Sequence, residues 1–218
     1  MVRFSRVTKL DGIRSWSTTA GATCPGSFNS DGSLVDPCKG CYAKGGNYRF
    51  PKVKQPREEN SQDWKREAWV SDMVKELDND RYFRWFDSGD IKTPDQARKI
   101  LDIMKLTPWV KHWLPTRSHK LPRIRSILEE MKLLPGVSVR YSSDSIEGEY
   151  ESHHGSTIIP STETSDKALT VCMAYANKDN KCNGCRQCWN KDIKTIAYPA
   201  HGATMLSLIH ISEPTRPY

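Results

Sequence analysis

The sequence predicts an α/β fold: a partial or irregular TIM-like (β/α) barrel of about six mostly parallel strands. Three observations predict it. Short apolar strands alternate with amphipathic helical segments between residues 12 and 141, an order that builds parallel strands joined by crossover helices. Each strand ends in a polar segment, the pattern of strand exits that share one face. The chain has 218 residues, too few for eight full strand–helix units but enough for one sizeable core.

Residues 12–18 alternate apolar and polar side chains and read as the first strand. A turn-rich exit carries Cys24, and residues 27–37 form a polar loop with Asp31-Gly32 as its turn. Residues 42–55 are basic and rich in glycine and aromatics, the composition of an ordered loop. A helix is expected from 58 to 77, where Trp64, Ala68, Val70, Met73, Val74 and Leu77 make an apolar stripe. Residues 82–86 are the second strand, which ends in Asp87-Ser88-Gly89-Asp90.

The next helix has the sharpest start in the chain. Thr93 is its N-cap, Pro94 its first residue, and Gln96 completes a capping box. Ala97, Ile100, Leu101 and Met104 form its buried face. Residues 110–114 are the third strand, with 116–120 as its polar exit. Pro122 opens a helix whose inner face is Ile124, Ile127, Leu128 and Met131. Residues 137–141 are the fourth strand, with 142–145 as its exit. Residues 156–159 and 168–172 are further short strands, and 193–201 is a strand or a helix.

All of this is read as one domain, residues 1–205. The segment from Leu206 to Arg216 back-translates to a common transposon adapter used in sequencing libraries. Residues 206–218 are therefore expected to be an artefact, and the natural C-terminus to be missing.

The seven cysteines lie in two blocks, with none between residues 42 and 171. The first block holds Cys24, Cys38 and Cys41; the second holds Cys172, Cys182, Cys185 and Cys188. A two-residue gap lets two thiolates point at one ion, so paired CxxC steps are a metal-ligand spacing. Three cysteines at a three-residue period, as in Cys182, Cys185 and Cys188, suit an iron–sulfur cluster. The expected cofactor is a 4Fe-4S cluster, one or two in number. Four thiols close the second site and three leave one iron open at the first. Zinc fits the spacing of the second block as well. A single cluster with ligands from both blocks, and free thiols, are the other options.

An odd number of thiols and no secretory signal pattern argue for metal ligands rather than disulfides, and for a reducing cytoplasm. No apolar run approaches a membrane span, so no membrane is expected. The formal charge is +7, from 33 basic and 26 acidic residues. These charges are interleaved, with no block of about five or six of one sign. A solvated basic surface is preferred to a nucleic-acid footprint.

Cys24-Pro25 with Cys38-x-x-Cys41-Tyr42-Ala43, the run Trp85-Phe86-Asp87-Ser88-Gly89-Asp90, and Cys182-x-x-Cys185-Arg186-x-Cys188-Trp189 followed by Tyr198-x-x-His201 together resemble the phage gene product 88 family. The resemblance covers residues 12–202. That family is of uncertain function, so the resemblance implies viral origin and little biochemistry. More distantly, the architecture resembles radical S-adenosylmethionine enzymes. Their pattern implies a cluster on Cys24, Cys38 and Cys41. It also implies S-adenosylmethionine as a second cofactor, its amino group held by Ser88, Gly89 and Asp90. The usual spacing there is CxxxCxxC, whereas thirteen residues separate Cys24 from Cys38 here.

Asp87 and Asp90 are the candidate catalytic carboxylates, with turn and helix-cap chemistry as their alternative. Arg117, His119 and Asp144 read as loop residues at strand exits. Trp189 is placed to shield a cluster from water, and His201 to pack against the metal site. Two functions from different classes follow. One is an iron–sulfur protein acting in redox or radical chemistry on an unidentified small-molecule or protein substrate. The other is a zinc-stabilised, basic, nucleic-acid-binding phage protein.

Overall fold

The structure is a computed structural model that describes residues 2–201 together with 205 and 207. The expected artefact at 206–218 lies outside the described residues, apart from Ser207.

Eight strands form a single sheet: β1 (Ser5–Val7), β2 (Ile13–Trp16), β3 (Tyr82–Trp85), β4 (Lys111–Thr116), β5 (Val137–Ile146), β6 (Gly155–Ile159), β7 (Leu169–Val171) and β8 (Thr195–Pro199). Their order is β1-β2-β3-β4-β5-β6-β8-β7. Only the β1–β2 pair is antiparallel among the described residues; the others run parallel. Five helices accompany them: α1 (Asp36–Lys39), α2 (Pro51–Asp63), α3 (Trp69–Glu76), α4 (Pro94–Leu106) and α5 (Pro122–Leu133). The α/β class and the parallel run are as expected. The sheet is open, however, with β1 and β7 as its edges. It also has more strands than the sequence suggested. The strand expected over 168–172 forms as β7, whereas β1, not expected, is three residues long and too short to show a period.

Three boundaries differ from expectation. The helix expected over 58–77 is two helices, α2 and α3, and α2 begins at Pro51 inside the expected loop. Pro51 takes the first helical position, where its missing N–H costs nothing. The side chains of α2 are polar all round, so no apolar stripe announces it. Strand β5 runs on through residues 142–145, which had been assigned to a loop. The Thr93 cap forms as expected, its hydroxyl accepting from the Gln96 amide at 3.2 Å. The Gln96 side chain reaches past the cap to accept from the Lys92 amide at 2.7 Å.

Alternation along the strands sorts the residues onto two faces. Phe83 and Trp85 of β3 enter a core with Trp16, Trp69, Ile100 and Ile127, the face covered by α3, α4 and α5. Its aromatic rings meet at an angle, Phe83 edge-on to Trp85 and Trp16 tilted against Trp69, with both pairs of centroids 5.1 Å apart. Each fully buried side chain of this kind contributes about 1.5–3 kcal/mol. His112 is sealed into the same face. Trp85 Nε1 donates to its Nδ1 at 3.3 Å, and Thr107 stands 3.0 Å from its Nε2. Burial drives its pKa down to about 3. Among the described residues, the opposite, concave face is packed by short 3-10 turns at Thr8–Leu10 and Gln187–Trp189. It is filled by Leu10, Trp113, Cys188, Trp189 and Ile196.

Candidate metal and ligand site

The first cysteine block stands at the strand exits. Cys24 follows β2, and its carbonyl accepts from the Ser27 amide at 3.1 Å. The thirteen residues between Cys24 and Cys38 are a small hairpin excursion. Phe28 and Leu34 form an antiparallel bridge, and the Val35 amide returns to the Ser27 carbonyl at 3.0 Å. The Asp31 carboxylate pins the tip by accepting from the Ser33 amide at 2.9 Å. The chain is thus brought back on itself before α1, which carries Cys38. The unusual spacing is long in sequence and short in space.

Two glycines seat this block. A Cβ on Gly26 would lie 2.2 Å from the Arg117 carbonyl oxygen, so only glycine lets the loop rest on the β4 exit. Gly89 has φ +76, and a Cβ there would strike Thr18 Oγ1 at 2.0 Å. Burial pushes the Cys24 thiol up to about 12, with the Asp90 carboxylate adding to the effect. Burial also raises Cys38, against the pull of the Arg117 guanidinium. Cys38 and Cys41 both add to the rise at Cys24, and Cys41 adds to that at Cys38.

Beneath this block lies the Asp87–Asp90 turn. Phe86 takes φ 54, a costly left-handed conformation for an aromatic residue, where the chain leaves β3. Asp87 is buried and paired with buried Arg57 at 2.7 Å. It also bonds Ser17 Oγ, and the Tyr48 hydroxyl donates to it at 3.4 Å. Arg57 Nε donates to Ser88 Oγ at 2.8 Å, and Ser88 Oγ donates to the Thr18 carbonyl at 2.8 Å. Asp90 Oδ1 accepts from Thr116 Oγ1 at 2.6 Å and from the Ile91 amide at 2.7 Å. Its Oδ2 accepts from the Arg117 amide at 2.8 Å. A carboxylate has about four lone-pair positions, so Asp90 keeps roughly one for a ligand. Both carboxylates tie strand exits together.

The other exit residues lie nearby. Arg117 donates to the Ser143 carbonyl at 2.8 Å and stands 3.6 Å from Asp144. His119 stacks on Tyr141 with centroids 4.4 Å apart.

The second block is built into the concave face. The Cys172 amide donates to the Ala197 carbonyl of β8 at 2.8 Å, extending β7. The Cys182 amide donates to the Lys9 carbonyl at 2.9 Å, so the block reaches from the β7 edge to the turn after β1. Asn183 and Gly184 take φ 47 and 83. Two successive positive φ values make the tight turn that closes the Cys182–Cys185 step, with the Cys185 amide donating to the Cys182 carbonyl at 2.9 Å. Asp11 receives the Gly184 amide at 3.0 Å and Arg186 at 2.8 Å.

Arg140 of β5 holds the rest of the block. It is fully buried and donates to the carbonyls of Asn190 at 2.7 Å, Ile193 at 3.1 Å, Cys188 at 3.2 Å and Gln187 at 3.4 Å. Trp189 is buried against Trp113 and Tyr82, and its Nε1 donates to the Phe83 carbonyl at 2.9 Å. Trp189 and Cys188 are buried in the same apolar cluster. Burial pushes Cys188 up to about 11, while the Tyr198 hydroxyl 3.3 Å from its sulfur pulls the other way. Cys182 is raised by burial and by Cys172, with Lys9 opposing.

All seven cysteines are free thiols, with Cys188 buried, Cys185 exposed and the other five between. The sulfurs interact within each group. Among the described residues, no group of three or more His, Cys, Asp or Glu side chains is arranged to hold a metal ion. A shared ion would require the thiols of a group to turn toward it. The donor chemistry still suits a soft metal, because high-pKa thiols deprotonate on binding a cation. His201 stacks on Tyr175 at 3.8 Å and lies 6.5 Å from the Tyr42 ring, between the two groups.

Sequence reasoning missed Lys9, Arg57, Arg84 and Arg140. The available signal was a single cation interrupting an apolar strand, as in Tyr82-Phe83-Arg84-Trp85 and Val137-Ser138-Val139-Arg140. No described helix is long and apolar enough to cross a membrane. The family model described as gene product 88 matches residues 5–203. No curated protein and no solved structure matches the chain.

Proposed function

The chain belongs to the gene product 88 family, a phage family, and from that premise we propose that it is a thiolate metalloprotein carrying iron–sulfur chemistry. The observation that carries this reading is spatial. Seven unpaired cysteines fall into two sets, each made of thiols that share one electrostatic environment. Cys172, Cys182, Cys185 and Cys188 would hold one 4Fe-4S cluster with all four irons closed. Cys24, Cys38 and Cys41 would hold another with one iron open to a small molecule such as S-adenosylmethionine. Such a cluster supplies one-electron transfer, and with an open iron it supplies radical chemistry. Ser88, Gly89 and Asp90 support the loop on which that open site would stand. The setting proposed is the host cytoplasm, where thiols stay reduced.

The test is purification without oxygen, followed by iron, zinc and acid-labile sulfide analysis. The expected result is a brown protein with iron and sulfide in near-equal amounts. A colourless protein with stoichiometric zinc and no sulfide would overturn the reading in favour of a zinc-stabilised fold.

A further inference from the structure

On the concave face Arg84, whose side chain meets that of Tyr42, and Lys9 make no ion pair among the described residues. On β3, Phe83 and Trp85 point to the helix-covered core, while Tyr82 and Arg84 point to the concave face. The Arg84 guanidinium lies 4.6 Å over the Trp113 ring. Its Nε is buried and donates to no acceptor, and the neighbouring Trp113 Nε1 is also without a partner. Among the described residues Arg84 makes no ion pair, and Asp87, the carboxylate whose charge reaches it, is held by Arg57 at 2.7 Å. Lys9 is a second cation on this face. Its ammonium stands 3.3 Å over the Tyr175 ring, and among the described residues it too makes no ion pair.

The surroundings are open enough to admit a ligand. Tyr42 is 55% exposed even though its hydroxyl donates to the Asp87 carbonyl at 2.7 Å. Arg84, Tyr175, Tyr198 and His201 are each partly accessible. Tyr175 and His201 present stacked rings beside Lys9. A desolvated guanidinium with an idle donor is a costly arrangement unless an anion completes it. The planar fork of arginine suits carboxylate and phosphate alike.

We propose that the concave face binds the anionic group of a small molecule, a carboxylate or a phosphate, against Arg84, with the rings of Tyr42, Tyr175 and His201 beside it. The rival role for these cations is to balance thiolates of the second group. That role suits Lys9, whose charged neighbours include Cys172, Cys182 and Cys188. It suits Arg84 less: the Arg84 charge does reach Cys188, but only after burial, Tyr198, Cys172 and Arg140, and the neighbours that act most on Arg84 are Tyr42, Tyr48, Tyr198 and the already paired Asp87. The inference does not rest on which metal the thiols hold.

The test uses full-length protein purified without oxygen, with metal and sulfide measured in every sample. Calorimetric titration with inorganic phosphate and, separately, with acetate should give saturable binding for at least one anion. Phosphate alone points to a phosphorylated ligand, acetate alone to a carboxylate, and both to the shared chemistry. Arg84→Gln should weaken binding at least about tenfold, while Arg123→Gln, on the exposed side of α5, should leave it unchanged. A second readout needs no variant. An arginine-specific dicarbonyl should label Arg84 in the free protein, and the bound anion should slow that labelling without affecting Arg123. No saturable binding together with unprotected Arg84 would overturn the proposal. So would wild-type anion binding by Arg84→Gln, and if that variant also lost metal, Arg84 would be assigned to charge balance instead.

Discussion

The first cysteine group hangs on loops at the strand exits, while the second is woven into the concave face of the sheet. Around Cys24 and Cys38 the contacts come from a hairpin excursion, two glycines and loop carbonyls. Around Cys172, Cys182 and Cys188 they come from β8, the turn after β1, and a buried arginine that holds four carbonyls of the block itself. The two cysteine groups are thus built in two ways. One stands on loops outside the sheet. The other packs with Trp113, Trp189 and Ile196 in the apolar cluster on the sheet's second face. Under the function we propose, the first group takes the open, ligand-accepting role and the second the closed, structural one.

The largest expected effect tests that second half. Arg140→Met should cost at least about 3 kcal/mol, because several buried carbonyls lose their donor together. Urea unfolding followed by tryptophan fluorescence measures it. A change below about 1 kcal/mol would mean that the block holds itself in place without Arg140.

Next comes the scaffold both groups share. His112 is held neutral in the folded state with its pKa lowered to about 3, while the unfolded chain protonates near the ordinary histidine value. Below that ordinary value the unfolded state binds the extra proton. Stability is therefore full above about pH 6.5 and declines as pH falls toward 3, by a few kcal/mol in total. Denaturant midpoints across this range check it. His112→Gln should flatten that part of the profile, and an unchanged slope would place the acid sensitivity elsewhere.

A smaller effect is expected at the first group. In metal-free protein, Cys41→Ala should change stability by less than about 1 kcal/mol, since Cys41 is only half-buried on a loop. Thermal melts beside Cys188→Ala, whose side chain is buried against Trp189 and Tyr198, would sharpen the contrast. Equal losses at both positions would erase it.

The smallest effect is chemical. At pH 8 a thiol with pKa about 12 is ionised to roughly one part in ten thousand. Alkylation of the metal-free protein should therefore label exposed Cys185 first and leave Cys24 and Cys188 nearly untouched, as peptide mass mapping would show. Rapid labelling of Cys24 would mean that the first group opens to solvent.

Much of this was legible in the sequence where one residue type sufficed. The segregation of cysteines, the Thr93 cap and the polar strand exits all announce themselves locally. What was not legible depends on partners far along the chain. Nothing near Arg140 shows that residues 187–193 will supply its acceptors. The Cys24–Cys38 gap is long until the Phe28–Leu34 bridge folds it up. Strand β1 carries one apolar residue in three, and α2 has no apolar face, so periodicity passes over both. Asp87 and Asp90 were recognised as important from their place after a strand. The structure gives them ion-pair and hydrogen-bond duties within the rim, which a sequence does not distinguish from catalysis.

The most direct test of the two-group account is metal and sulfide analysis of paired variants purified without oxygen. Cys38→Ala/Cys41→Ala should yield soluble, folded protein that keeps the iron and sulfide of one cluster and loses the other. Cys182→Ala/Cys185→Ala should sharply lower the yield of folded protein, because metal ligation there contributes folding free energy. The reverse pattern, or equal yields with no iron in either variant or in the parent, would contradict the account.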